Sequence, residues 1–181
     1  MTGFPELKTE RLVLGALRHD DAPELERLCG AREIADTTIS IPHPYGRADA
    51  ERFIAHQVEA WARGDELVLA VRPRQEDRLV GCVSLREIDR VHCQAELGYW
   101  IGVPYWGQGY ATEAAQAIVG YGLETLGLNR IYAHHMVRNP VSGRVLERVG
   151  MQREGVLRQR VRKWGKFEDV VLYALLRGPS D

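Results

Sequence analysis

Cysteine is scarce in this 181-residue chain: Cys29, Cys82 and Cys93 are odd in number and form no C-x-x-C pair. That excludes a disulfide frame and points to thiols of a reducing compartment, with a cytoplasmic protein as the default. Net charge is also nearly absent, since 24 Lys and Arg against 25 Asp and Glu leave −1. Bulk electrostatic binding of nucleic acid is therefore not expected. No apolar run reaches membrane-spanning length, and Met1–Arg11 lacks the basic-then-apolar order of a signal peptide, so no membrane partner is expected. His92 and Cys93 are adjacent but have no second ligand pair at metal spacing, so no metal site is expected. There is no internal repeat or low-complexity tract. What is present, 45% hydrophobic residues, suffices for a sizeable core in one domain.

Periodicity divides the chain into alternating elements. Arg11–Arg18 alternates as a strand, and Asp20–Cys29 reads as a helix with Pro23 in its first turn. Thr37–Gly46, with Pro42, Pro44 and Gly46, reads as a loop. Asp49–Arg63 carries Phe53, Ile54, Val58 and Trp61 at helical spacing and closes at Gly64. Strands are expected over Glu66–Val71, Leu79–Glu87 and Ala95–Val103, then a helix from Tyr110 to Leu126 with a stripe of small residues. Arg130–Val137 is a strand and Pro140–Val149 a short helix before Gly150. A hairpin over Gly155–Arg162 and Val170–Leu176 turns at Trp164-Gly165-Lys166. Hairpins beside strand–helix–strand crossovers imply an α/β architecture, with a mixed, mostly antiparallel central sheet flanked by about four helices.

The densest signal runs from Glu96 to Ala114, E-L-G-Y-W-I-G-V-P-Y-W-G-Q-G-Y-A-T-E-A. A strand stops at Pro104, a glycine turn follows and a helix opens at once. Gly107 and Gly109 let backbone N–H groups approach a ligand, and the helix start adds unpaired donors and the positive dipole end. The turn is built to hold an anion, and the strand could guide an extended arm inward from it. A dinucleotide fingerprint would need an acidic residue at the end of the next strand, which ends Met136-Val137-Arg138; a P-loop would need Gly-Lys-Ser/Thr. A glycine turn that serves only chain geometry is the bland alternative.

The order of elements and the string P-Y-W-G-Q-G-Y-A-T-E-A resemble the GNAT superfamily of acetyl-CoA-dependent N-acetyltransferases, in the branch containing the ribosomal-protein-alanine N-acetyltransferases. The likeness covers nearly the whole chain, as a single N-acetyltransferase domain over 1–181. It also includes T-E-R-L-V-L at Thr9–Leu14, E-L-G-Y-W-I at Glu96–Ile101, N-P-V-S at Asn139–Ser142 and E-R-V-G-M at Glu147–Met151. The resemblance implies that acetyl-CoA is the cosubstrate, with its pyrophosphate at Gly107, Gln108, Gly109, Tyr110, Ala111 and Thr112. It implies that the pantetheine arm bonds backbone near Ile101 and Val103, and that Asn139 and Ser142 touch the arm or lie near the thioester. One departure is Trp106, where the family's turn usually begins with Arg or Gln.

Acetyl transfer to an amine requires a neutral nucleophile, although a terminal amine has a pKa near ~8 and a lysine near ~10.4. Glu96, on the strand entering the site, is the first candidate base, and His134 the second. His135 is expected to pack instead, because adjacent strand residues face opposite ways. Some relatives place a tyrosine acid in the helix after the asparagine; Leu146 stands at that position, which leaves Ser142 as the nearest proton donor. Trp100 and Tyr105 are candidates to line the acceptor channel. Alternation would put Arg158, Arg160 and Arg162 on one strand face, where an acidic protein tail or the cofactor phosphates could meet them. The expected acceptor is a protein N-terminus through the branch resemblance, or else a small amine such as an antibiotic, polyamine or amino acid. A catalytically idle acyl-CoA-binding module is the alternative from a different class. Exposed strand edges in this fold can pair, which admits a homodimer.

Overall fold

A computed structural model describes residues 3–178. Eight strands form one sheet in the order β1-β2-β3-β4-β5-β6-β8-β7. They are β1 (Leu7–Lys8), β2 (Leu12–Gly15), β3 (Leu67–Pro73), β4 (Gly81–Asp89), β5 (Gln94–Ile101), β6 (Arg130–Met136), β7 (Gln152–Lys163) and β8 (Lys166–Leu176). Every pairing is antiparallel except β5 with β6. Among the described residues five α-helices accompany the sheet: α1 (Ala22–Cys29), α2 (Arg32–Thr37), α3 (Arg47–Arg63), α4 (Tyr110–Glu124) and α5 (Pro140–Val149). The expected mixed, mostly antiparallel architecture is observed, with two elements more than the periodicity shows. The first, β1, has two residues, and the second, α2, has six, both shorter than any window in which a hydrophobic period repeats.

The two sheet faces carry separate apolar clusters. Val68, Ala70 and Cys82 point toward α1 and α3 and pack with Leu25, Cys29, Ala50 and Ile54. Leu69, Val83, Leu85, Leu97 and Ile131 point the other way, onto Ala114, Ala115 and Ile118 of α4. The small-residue stripe of α4 is what allows that approach. A Cβ on Gly122 would sit 2.9 Å from methyl groups of both Leu85 and Ile131. Gly122→Val is expected to destabilise the fold by about 1–3 kcal/mol through overpacking; a urea midpoint equal to the parent's would refute this account of the contact.

One buried ion pair fixes the first helix. Asp21 sits at the α1 N-terminus, and Arg72 of β3 donates from Nη2 to both its carboxylate oxygens at 2.7 Å. The basic alternation expected along β7 is interrupted. The register shifts between Leu157 and Val161, and Gln159 adopts φ 50°, so Arg158, Arg160 and Arg162 do not form one regular row.

Candidate active site

β5 and β6 pair only over Gln94–Glu96 and Arg130–Tyr132, although β5 continues to Ile101 and β6 to Met136. Beyond Glu96 the two strands part. Gly102 N–H donates to Val80 O at 2.8 Å, on the β4 side. By the alternation of an antiparallel ladder, the amides of Tyr99 and Ile101 therefore face the opened edge. An extended ligand lying in that gap would find sheet-type donors and acceptors. Ile101 O is already engaged, because Trp106 Nε1 donates to it at 2.5 Å. Val103 lies past the end of β5, in a short 3-10 turn over Val103–Tyr105.

Glu96 stands at the fork. It is 7% exposed, and in register it faces Arg86 on β4 and Tyr132 on β6. Arg86 Nη2 donates to its Oε2 at 3.1 Å, and His134 Nδ1 lies 3.1 Å from its Oε1. Two sequence candidates, Glu96 and His134, therefore stand side by side at the fork. Burial pushes the His134 pKa below its ordinary value, against the opposing pull of the Glu96 carboxylate; the ring is held neutral at neutral pH and is able to accept a proton. Gly98 leaves room for this cluster, since a Cβ there would lie 2.7 Å from Ser84 Oγ and 3.2 Å from Arg86 Nε. Glu66, just before β3, lines the same space, and burial raises its carboxyl pKa.

These groups face a cavity of about 530 Å³ between α3, the sheet and the strap formed by residues 37–42. Ser142 reaches the same cavity from α5. The Tyr99 hydroxyl, on β5, is 2.7 Å from Ser142 Oγ and 3.0 Å from Ser142 O. Burial raises the Tyr99 pKa to about 12, so the phenol keeps its proton. Tyr99 was not singled out from the sequence because its partner is 43 positions away and an aromatic on a strand is ordinarily core. Trp100 lines the cavity. Tyr105 does not, and packs beneath the Arg78 guanidinium instead. His135 is buried against Tyr173, with Nδ1 2.9 Å from Met136 O, as a packed histidine. Asn139 is not among the cavity's lining residues; its Nδ2 reaches Thr37 O at 3.4 Å and so ties α5 to the strap. Lys163 and Trp164, at the hairpin turn, bond Ile41 O and Asp36 Oδ1 and hold the strap from the other side.

At the outer end of β5 the glycine turn and α4 take the expected form. Gly107 and Gly109 adopt φ 77° and 80°, and Gly109 is the residue capping α4. The amides of Tyr110, Ala111 and Thr112, in the first helical turn, have no intrahelical acceptor. Gly107, Gln108 and Gly109 are exposed, and Tyr110, Ala111 and Thr112 half-buried.

Residues 11–152 match the acetyltransferase (GNAT) domain. The chain belongs to the GNAT acetyltransferase family. This acetyltransferase is 30% identical over 172 residues to the uncharacterized N-acetyltransferase p20 of Bacillus licheniformis, covering 94% of this chain and 96% of that one. It is 35% identical over 100 residues to the ribosomal-protein-serine acetyltransferase of Escherichia coli (strain K12), covering 55% and 56% of the two chains. The crystal structure of the GNAT-family acetyltransferase from Bacillus anthracis superposes with a TM-score of 0.85 at 26% identity, over 96% of this chain and 99% of that one. The acetyltransferase is thus an acyltransferase by family, and the chemistry of its own site rests on the geometry above.

Proposed function

We propose that this enzyme moves the acetyl group of acetyl-CoA onto a primary amine by direct attack in a ternary complex, with a protein N-terminal amine as the leading acceptor. The observation that carries the reading is the Glu96–His134 pair at the point where β5 and β6 part, opening onto the cavity that Ser142 also lines. The residues suit the acyl donor. Gly107 and Gly109 leave the amides ahead of α4 uncovered for a pyrophosphate, with Gln108, Tyr110, Ala111 and Thr112 completing the turn. The opened β5 edge, ending at Ile101 and Val103, suits an amide-bearing arm. When bound, acetyl-CoA supplies the activated acyl group.

The chain's own groups do the rest. The Glu96–His134 unit takes the proton of the acceptor amine, and Arg86 holds the Glu96 carboxylate in place. Tyr99, whose hydroxyl donates to Ser142 O and lies 2.7 Å from Ser142 Oγ, holds Ser142 in place, and the Ser142 hydroxyl offers a hydrogen bond to the departing sulfur. That help is modest, because a thiol with a pKa of roughly 8–9 leaves readily as the thiolate. Tyr99→Phe is accordingly expected to lower kcat by about fivefold, one hydrogen bond's contribution. The double variant with Ser142→Ala should be no slower than Ser142→Ala alone. Additive losses in that cycle would show that the two hydroxyls act separately.

The ribosomal-protein-serine relative supports a protein acceptor. A specific observation favours a second reading, a small free amine: the cavity is roofed by the 37–42 strap, and its 530 Å³ lies within the ~300–1,000 Å³ common for small-molecule pockets. Free-thiol release from acetyl-CoA, measured with Ala- and Ser-terminated peptides beside polyamines, aminoglycosides and amino acids, separates the two. Turnover on peptides alone supports the first reading, and turnover on small amines alone replaces it with the second.

A further inference from the structure

Arg11 has no place in the chemistry above, yet it is bonded into the glycine turn from 97 positions away. It lies in the turn between β1 and β2. Its Nε donates to Glu113 Oε2 at 2.7 Å, its Nη2 is 2.6 Å from the same oxygen, and its Nη1 donates to Gln108 O at 2.9 Å. Its backbone N–H and the Thr9 hydroxyl both donate to Glu113 Oε1, at 2.9 and 2.6 Å. The guanidinium also lies 5.2 Å from the Tyr110 ring centroid. Arg74 pins the segment by donating from its backbone to Arg11 O at 2.8 Å.

An exposed ion pair by itself contributes little, and tying the β1–β2 turn to α4 needs only Glu113. The bond to Gln108 O is different, because it acts on the peptide between Gln108 and Gly109. A trans peptide points its C=O and N–H in opposite directions. Holding the Gln108 carbonyl toward Arg11 therefore aims the Gly109 N–H at the opposite side, away from the β1–β2 turn. Only arginine's planar guanidinium can meet one Glu113 oxygen with Nε and Nη2 and the Gln108 carbonyl with Nη1 at once. Burial opposes ionisation of Glu113, but the bonds from Thr9 and Arg11 overcome it and hold its carboxyl below the usual range, so the anchor stays charged.

We infer that Arg11 is a positioning residue for the acyl donor: its fork sets the Gln108–Gly109 peptide so that the turn's amide meets the pyrophosphate. This rests on the glycine turn being the pyrophosphate site. Calorimetric titration with CoA tests both, on the full chain and four variants. Arg11→Ala is expected to weaken CoA binding about tenfold or more, one charged hydrogen bond's effect, without changing KM for the acceptor amine. Arg11→Lys, which keeps the charge and loses the fork, should stay within about threefold of Arg11→Ala. Glu113→Gln should weaken binding in the same direction by loosening the fork. A lowered melting temperature with an unchanged Kd in Arg11→Ala would make the residue structural only and overturn the inference, as would full recovery by Arg11→Lys. If Gly109→Val weakens CoA binding while Arg11→Ala does not, only this inference falls. If Gly109→Val binds like the parent, the pyrophosphate assignment falls and takes this one with it.

Discussion

Glu96→Gln lowers turnover by about 10²–10⁴-fold, the usual contribution of a positioned proton acceptor, which corresponds to roughly 3–5 kcal/mol of transition-state stabilisation. Glutamine keeps the size of the side chain and an oxygen for Arg86, which also has Glu66 nearby, so the fold should persist. What is lost is the acid–base unit, since His134 Nδ1 no longer faces a carboxylate. The deficit should depend on pH with a definite sign. Below the pKa of the acceptor amine the variant must wait for the rare neutral form, and the deficit is greatest. Above that pKa the amine is already neutral, and variant and parent should converge. For a peptide N-terminus the curves should close above about pH 8, and for an alkyl amine only toward pH 10. The same kcat/KM profile therefore tests the base and reports the class of acceptor. Equal rates across the whole range would remove Glu96 from the mechanism.

His134 adds its own limb. Because burial lowers its pKa, protonation of the ring should cut activity only below the ordinary histidine value near ~6.5. The stability sign agrees. Below that value the unfolded chain binds a proton that the folded chain resists, so folding stability falls as pH falls from about 6.5 toward the lowered folded pKa.

Gly109→Val abolishes useful cofactor affinity, with an expected loss of at least about 100-fold in Kd for CoA. Two causes act together. Gly109 holds φ 80°, a region in which a β-branched residue is a genuine outlier, at a cost of about 1–2 kcal/mol. The added Cβ would also lie 3.3 Å from Arg11 Nη2 and press on the fork. The strain is relieved most simply by rotating the peptides beside Gly109, which withdraws the very amides the pyrophosphate needs. Gly107→Ala offers the contrast, since φ is 77° there but no atom lies within 4 Å of the new Cβ. It should lose affinity through strain alone, and so lose less. Unchanged CoA affinity in Gly109→Val would sink the assignment of the turn.

Much of this site was written locally. The run from Glu96 to Thr112 places a strand, a positive-φ glycine turn and a helix start within seventeen consecutive residues, and each is specified by its own neighbours. The periods of α3, α4 and the central strands likewise belong to single segments, which is why their bounds differ by only a few residues from the expected ones. The order of those elements was enough for the mixed sheet and, through resemblance, for the family.

Tertiary structure decided the rest, because the interactions concerned join segments with no local trace of one another. The parting of β5 and β6 depends on where two strands stop pairing. The Glu96–Arg86–His134 cluster is assembled across three strands, and Tyr99 meets Ser142 only when α5 packs beside the gap. The strap over the cavity is held by Lys163 and Trp164 from the far end of the chain, and Arg11 reaches Gln108 from the first turn of the sheet. Periodicity reports which face of a segment is buried; it carries no information about which distant polar group waits on the other side. The sequence alone thus determined a positive-φ glycine turn at a helix start and a strand bearing a carboxylate, while packing determined what that carboxylate touches and what holds the turn.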